Sequence, residues 1–263
     1  MAESGEDQPE EISLFAKLVS EAKKLQVLFL RACNITDRDL AHIMMALKPE
    51  TQLPMNRNLK VLDLSYNKFS GDSVHGFSQV FEQNRSLEFL GLAKNNLTTE
   101  DIVPLLSSFG KVPFPADQVE AYQAELKKRD VIIEKNKKLK ASKKPEEPVP
   151  ILDSLESEPG KDSEGNEVTN YFLLKCPQFK HLNLCLNKIN DESMGLIQQV
   201  LSQTPDDFGM TLSGNQISGP VIERIQNAVK SLHRQRVQDL RMADASNAAM
   251  QELEDIGQRR AAF

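Results

Sequence analysis

The sequence predicts an α/β repeat fold, in which short parallel strands form one face and helices form the other. A spaced leucine pattern with an Asn near its end recurs along the 263 residues. A polar cap and an apolar stretch with helical spacing follow the copies of this pattern. Such a unit buries its core only against neighbouring copies, so we expect a solenoid of about five repeats.

Four copies keep the whole pattern and a fifth keeps only its second half. Their first positions are residues 25, 59, 87, 179 and 207, which gives steps of 34, 28, 92 and 28 residues. The underlying period is therefore 28 residues, and the long step contains about 64 inserted residues. The second copy reads Leu59-x-x-Leu62-x-Leu64-x-x-Asn67-x-Phe69.

Each copy begins with a strand and a turn. Leu62 and Leu64 alternate with polar or solvent-facing residues, and this period of two predicts a strand with its leucines inward. The turn that follows leaves backbone groups facing inward, where a side-chain amide can pair with both N-H and C=O. We therefore predict a structural ladder of Asn67, Asn95, Asn187 and Asn215. Cys33 takes the place of Asn in the first copy, as a small buried residue.

A helix follows each turn. The segments Thr36-Asp-Arg-Asp39 and Thr98-Thr-Glu-Asp101 place a capping hydroxyl before an acidic first turn. A strand, an Asn turn and a full helix within about 28 residues resemble the ribonuclease-inhibitor type of leucine-rich repeat. This resemblance implies strands on a concave face and helices on a convex face, and it says little about function.

The repeats and the insertion divide the chain into five segments. They are an acidic start and capping helix (1–24), repeats 1 to 3 (25–111), a charged insertion (112–175), repeats 4 and 5 with a closing helix (176–232), and a polar helical tail (233–263). Terminal repeats expose their core, so we expect the helix within 10–24 to cover the first repeat through Leu18 and other apolar residues.

The insertion predicts a basic helix followed by an acidic loop. Asp117 and Glu120 have the spacing of a capping box, and Pro and Gly punctuate the acidic run after the helix. The helix is either a solvated element whose charges serve solubility or pair with the acidic run, or a contact for an acidic surface such as a tubulin lattice, anionic lipid or RNA. The candidate contact residues are Lys127, Lys128, Arg129, Lys137, Lys138 and Lys140.

The strands also predict a partner-binding surface. If they stack in register, Val27, Phe29, Val61 and Phe89 form an apolar patch on the concave face. Such a patch on a normally solvated surface favours a protein partner, unless the insertion or the tail covers part of it. The full candidate set is Val27, Phe29, Arg31, Val61, Asp63, Ser65, Phe89, His181 and Asn183.

The remaining features of the sequence disfavour catalysis, metal or cofactor binding, nucleic-acid binding and a membrane span. Three cysteines form no paired framework, and no phosphate-binding loop or nucleophile motif occurs, so we expect no enzyme activity, no cofactor and no metal. A net charge of -6 without an RNA-binding motif disfavours nucleic acid. No apolar stretch reaches 18 residues, and the acidic start does not resemble a signal peptide, so we expect a cytoplasmic protein.

A second resemblance concerns function. The stretch from Tyr171 to Ile189, the Lys-rich and Pro/Glu-rich insertion before it, and the ending Ala262-Phe263 are similar to the ciliary family of leucine-rich-repeat-containing protein 71. The resemblance implies a structural subunit of a cytoskeletal or axonemal assembly with several protein partners. The alternative is a regulatory binder or inhibitor of one soluble protein through the concave face.

Overall fold

The computed structural model describes residues 11–49, 51, 53–145, 147–150, 152–161, 164–204, 208–227 and 231. The chain divides into two compact units, Met1–Gln216 and Ile217–Phe263. In the second unit, residues 219–227 are helical. The acidic start over residues 1–10 and the polar tail over 233–263 lie outside the described residues.

The first unit alternates strands and helices along the chain. Its strands are β1 Val27–Phe29, β2 Val61–Asp63, β3 Phe89–Gly91, β4 Gly110–Phe114, β5 Ser154–Lys161, β6 Glu167–Lys175, β7 His181–Asn183 and β8 Gly209–Thr211. Its helices are α1 Leu14–Glu21, α2 Asp37–Met45, α3 Gly71–Val74, α4 Phe77–Gln83, α5 Thr99–Leu106, α6 Val119–Ala141 and α7 Met194–Gln203. Short 3-10 helices precede α6 and α7.

Five strands form one parallel sheet in the order β1-β2-β3-β7-β8. Each strand contributes three residues and pairs without a register shift, so that Leu28, Leu62, Leu90 and Leu182 lie in one row. The leucines of the three central strands have no exposed surface. The mixed α/β architecture with its parallel sheet is that predicted from the leucine spacing.

An aromatic cluster lies where the insertion leaves and rejoins the repeats. The ring of Phe81, in α4, lies 4.9 Å from that of Phe109 and 4.8 Å from that of Phe179, measured between centroids. Phe109 precedes β4, and Phe179 precedes β7. The cluster therefore joins chain segments on both sides of the insertion.

Asparagine side chains link the turns after successive strands. The Oδ1 atom of Asn187 accepts hydrogen bonds from the backbone N-H groups of Asn95 (2.9 Å) and Leu97 (3.1 Å). Its Nδ2 donates to the backbone oxygens of Leu92 and Leu184, both at 3.0 Å. One side chain thus satisfies four buried backbone groups. Equivalent bonds from the preceding and following repeats are made by Asn67, Asn95 and Asn215.

The residue before each of these asparagines has a left-handed backbone. Positive φ angles occur at Tyr66 (62°), Lys94 (55°), Leu186 (58°) and Gly214 (76°), and Ala32 (53°), which precedes Cys33, takes the same place in the first copy. Non-glycine residues pay a steric cost in this region. The regular recurrence indicates that the hydrogen bonds of the following turn compensate for it.

The first repeat differs from the expectation at Cys33. This thiol is exposed, not buried. Its strand, β1, is at the end of the sheet order, so no preceding described strand covers the turn. Helix α1 packs against α2, where Ser13 Oγ donates to Asp39 (2.6 Å), and Leu18 points to solvent with 45% exposure. The predicted cover therefore protects the helix layer and leaves the strand edge open.

Helix α2 begins as its sequence predicts. Thr36 and Asp39 form a reciprocal capping box, as do Thr98 and Asp101 at α5. Burial alone would raise the pKa of Asp39, but hydrogen bonds from Ser13 and Thr36 outweigh it, and the pKa lies below its ordinary value.

The insertion contains more regular structure than predicted. Strands β5 and β6 form an antiparallel hairpin, and β4 pairs with the other edge of β6, giving the order β4-β6-β5. The prediction of an acidic loop here was wrong. The hairpin is stabilised where Lys111 forms ion pairs with Glu156 (2.7 Å) and Glu158. Burial alone would lower the pKa of Lys111. The hydrogen bonds and negative charges of these two carboxylates outweigh that effect, so the pKa lies above its ordinary value.

Helix α6 also begins differently from the prediction. It starts at Val119 after a 3-10 turn over Ala116–Gln118, and its N-cap, Gln118, makes no side-chain capping bond. The prediction of a capping box formed by Asp117 and Glu120 was therefore wrong. A 3-10 turn can satisfy the first backbone donors without a polar cap, which removes the need for one.

Candidate partner-binding site

The outward residues of the five strands lie in straight rows. The first row runs from Val27 through Val61 and Phe89 to His181, and the second runs from Phe29 through Asp63 to Asn183. We call the sheet surface that carries these rows the outer strand face. Of the residues predicted for the concave surface, only Asp63 and Ser65 are buried, and the others have at least partly accessible side chains.

Exposure is concentrated at the β1 end of this face. Phe29 is 63% exposed and Val27 is 46% exposed, whereas Val61 and Phe89 are half-buried. Large apolar side chains are normally withdrawn from water, and adjacent exposed ones mark sites of interaction. We call Val27 and Phe29, together with the half-buried Val61 beside them, the β1 apolar patch.

Asp63 and Ser65 are not accessible, although the sequence placed them on the binding surface. Asp63 is 6% exposed and Ser65 is 1% exposed. Asp63 Oδ1 accepts from the backbone N-H of Ser65 (2.9 Å) and lies over Gly91, where an added Cβ would come within 2.4 Å of that oxygen. Ser65 Oγ accepts from the backbone N-H of Ala93 at 3.2 Å. Both side chains therefore support the strand ends instead of facing a partner.

Arg31 extends the β1 apolar patch with a charge. Its Nε lies 3.7 Å from Asp63 Oδ2, and its guanidinium lies 5.2 Å from the centroid of the Tyr66 ring. Tyr66 is 42% exposed and was missed by the sequence analysis. Tyr66 has a left-handed backbone, with a φ of 62°, and the leucine pattern did not mark this position as part of the binding surface. An exposed Tyr beside an Arg is the combination enriched at the centres of protein interfaces.

The opposite end of the face is more enclosed. The His181 ring stacks on that of Phe89 with centroids 5.5 Å apart, and its Nε2 lies 3.3 Å from Thr211 Oγ1. Burial lowers the pKa of His181, so the ring is neutral near pH 7. Asn183 is half-buried, and its Oδ1 accepts a hydrogen bond from the backbone N-H of Cys185 at 3.1 Å. These residues offer a smaller and less charged surface than the β1 end.

The basic residues of the insertion lie along α6, which is exposed over most of its length. Three of the predicted contact residues pair within the helix, Lys128 with Glu125 (2.7 Å), Arg129 with Asp130 (2.9 Å) and Lys137 with Glu134 (2.5 Å). Arg129 is half-buried and donates to the backbone oxygen of Leu152 (3.2 Å). Among the described residues, no ion pair is formed by Lys127, Lys138 or Lys140.

The chemistry of the buried thiol and of the metal-ligating residue types can be considered for the described part of the chain. No group of three or more potential metal ligands occurs among the described residues. Cys176 is buried, its thiol lies 3.1 Å from the backbone oxygen of Phe81, and burial raises its pKa to about 12. A thiol that stays protonated is a poor nucleophile and a poor metal ligand. No described helix has the length and apolar character needed to cross a membrane.

Cys33 and Cys176 should consequently differ in reactivity, and Cys176 should make stability depend on pH. We expect N-ethylmaleimide to label the exposed Cys33 quickly at pH 7.5 and to label Cys176 only after unfolding, as read by mass spectrometry. Because the folded pKa of Cys176 is raised from 9.0 to about 12, the unfolded thiol ionises first as the pH rises. Its contribution to stability is complete below pH 9 and is lost between pH 9 and 12. Cys176→Ala should flatten this part of the stability profile, and rapid labelling of native Cys176 would contradict the prediction.

Comparison with known proteins supports the repeat motif. Residues 58–80, from the start of the second copy to α4, match the Leucine Rich Repeat family. Together with the parallel sheet, this match supports a leucine-rich repeat protein. Among solved structures, the chain is similar to "Leiomodin-1 Actin-Binding Site 2 (ABS2)", with 10% identity and a TM-score of 0.47 over 90% of this chain and 99% of that chain. The comparison with curated proteins gave no match, and the resemblance to the ciliary family has no counterpart in these findings.

Proposed function

We propose that this chain is a non-catalytic protein-protein interaction subunit with about five leucine-rich repeats, which binds a partner protein through the β1 end of its outer strand face. The observation that carries the proposal is the exposure of Phe29, at 63%, beside Val27 and Arg31. A partner that covers Phe29 would remove apolar surface from water, worth about 25 cal/mol per Å². An acidic residue in the partner would match Arg31.

The finer assignment is a structural subunit of a cytoskeletal or axonemal assembly in the cytoplasm or cilium. Its support is the sequence resemblance of residues 171–189 and of the insertion before them. In this assignment the chain contacts several partners, and the exposed lysines of α6 provide a second surface for an acidic neighbour such as tubulin. The outer strand face and α6 then bind different proteins.

One experiment tests both surfaces. The tagged full chain is expressed in ciliated cells, and its partners are recovered by affinity purification and quantified by mass spectrometry. We expect the double variant Val27→Thr/Phe29→Ser to lose its main partner by at least tenfold, because a fully buried Phe contributes about 1.5–3 kcal/mol. The matched control is Leu14→Ser, since Leu14 is 78% exposed on α1, which belongs to neither proposed surface.

A third variant reverses the charge of Lys127, Lys138 and Lys140 to Glu. If the chain bridges several proteins, this variant should lose a different set of partners and retain those that need Phe29. A single soluble partner that is lost with Phe29 and is unaffected by the charge reversal would favour the regulatory binder. Full recovery of every partner by the Val27→Thr/Phe29→Ser variant would overturn the proposal that the outer strand face binds.

A further inference from the structure

A pocket separate from the outer strand face lies between α6 and the repeats. Its volume is about 390 Å³, within the range of small-molecule sites. One wall consists of α6 and the chain that leads into β5, and the other consists of the segments that precede β2, β3 and β7. The insertion thus creates a cavity that the repeats alone would not enclose.

Three arginines line this pocket: Arg57, Arg85 and Arg129. No Asp or Glu occurs among the described residues that line it. Arg85 is held by an ion pair with Asp153, and Arg129 by one with Asp130 (2.9 Å). Arg57 makes no ion pair or hydrogen bond to a described residue, so its charge is available. Guanidinium groups match the geometry of carboxylate and phosphate oxygens.

Two buried polar atoms in the pocket wall have no partner among the described residues. They are Nε of Arg85 and Oε1 of Gln178. The other ends of both side chains are fixed, because Arg85 Nη1 donates to the backbone oxygen of Phe81 (2.6 Å) and Gln178 Nε2 donates to that of Asn84 (3.1 Å). Buried polar groups in proteins are nearly always hydrogen-bonded. Of the two, the N-H of Arg85 is a fixed donor and is therefore suited to a ligand that offers an acceptor.

The rest of the lining is largely apolar. Ile133 of α6 and Leu152 line it together with Met55 and several prolines from both walls. A site with an apolar lining and a few polar groups binds the body of a ligand by burial and its head group by hydrogen bonding. The arginine charge and the apolar lining together suit a ligand that has an anionic group at one end and an apolar body at the other.

We propose that this pocket binds a small organic anion in which one carboxylate or phosphate group is attached to an apolar body. The oxyanion pairs with Arg57 and accepts the N-H of Arg85, while the apolar body lies against Ile133 and Leu152. The site goes beyond the proposed function, because it shares no residue with the outer strand face. Its position between α6 and the repeats means that an occupied pocket holds the two together.

The test uses the full chain and four probes with the same apolar body: octanoate, octyl phosphate, 1-octanol and octylammonium. Binding is followed by ligand-observed NMR and by the shift of the thermal unfolding midpoint. We expect at least one of the two anions to bind with a dissociation constant below about 1 mM, and the neutral and cationic probes to bind at least tenfold more weakly. The tighter of the two anions identifies the head group as carboxylate or phosphate.

Two variants locate the binding. Arg57→Gln should weaken the preferred anion about tenfold, because it removes a charge-assisted hydrogen bond, and its matched control is Arg224→Gln in the second unit. Ile133→Glu should abolish anion binding by placing a like charge in the pocket. Unfolding of each variant is measured first, and Arg57 is exposed, so its replacement should leave the fold intact. Equal binding of 1-octanol and the anions, no binding of either anion, or unchanged affinity in Arg57→Gln would overturn the proposal.

Discussion

Replacing Asn187 with Ala should lower the free energy of unfolding by about 3–5 kcal/mol, although the substitution removes only a few atoms. Asn187 is 5% exposed and satisfies the backbone N-H groups of Asn95 and Leu97 and the backbone oxygens of Leu92 and Leu184. Without the amide, these groups stay buried without partners, and each costs about 1–3 kcal/mol unless water enters. Urea unfolding followed by circular dichroism measures the effect.

The ladder provides its own graded comparison. Asn215 makes the same kinds of bond but is half-buried, and its Oδ1 accepts from Ile189 alone among the described residues. Asn215→Ala should therefore cost less than Asn187→Ala, since water can reach the freed groups. Asn170 is exposed on β6, and Asn170→Ala should change stability by less than about 0.5 kcal/mol. Equal losses at Asn187 and Asn170 would show that the ladder does not stabilise the repeats.

The repeats were predictable from the sequence because their constraints are local and recur. Leu62 and Leu64 alternate at a period that only a half-buried strand requires, and Asn67 follows where a turn needs an amide. The equivalent positions then align across the sheet without a shift, so that Val27, Val61, Phe89 and His181 form the predicted row. What the pattern could not show was the burial of Asp63, because that depends on a Gly in the next strand.

The insertion was less predictable because its contacts are not periodic. Glu156 and Glu158 suggested a solvated loop by composition, yet both lie on a strand that pairs with β6 and both contact Lys111. That lysine lies 45 residues before Glu156 in the sequence. The pocket was missed for the same reason, since Arg57, Arg85 and Arg129 come from three segments that only the folded chain brings together. No short motif in the sequence marks them.

The second large effect is expected where the insertion meets the repeats. Phe81→Ala should lower the free energy of unfolding by about 3–5 kcal/mol, the cost of removing a large ring from a packed core. Phe81 has no exposed surface and packs against Phe77, Phe109 and Phe179 at centroid distances of 6.2, 4.9 and 4.8 Å. Because these partners lie on both sides of the insertion, the cavity should loosen β4 and β7 as well as α4. Hydrogen exchange of the backbone amides measures that spread.

Two controls distinguish a cavity from a general loss of apolar surface. Phe81→Leu retains part of the volume and should cost less than Phe81→Ala, since the penalty grows with the cavity that remains. Val131→Ala removes apolar atoms from a side chain that is 67% exposed and should be nearly neutral. Faster exchange confined to α4 in Phe81→Ala, with β4 and β7 unchanged, would mean that the aromatic cluster does not couple the insertion to the repeats. Faster exchange in all three elements would mean that the aromatic cluster couples the first strand of the insertion and the repeat after it to α4.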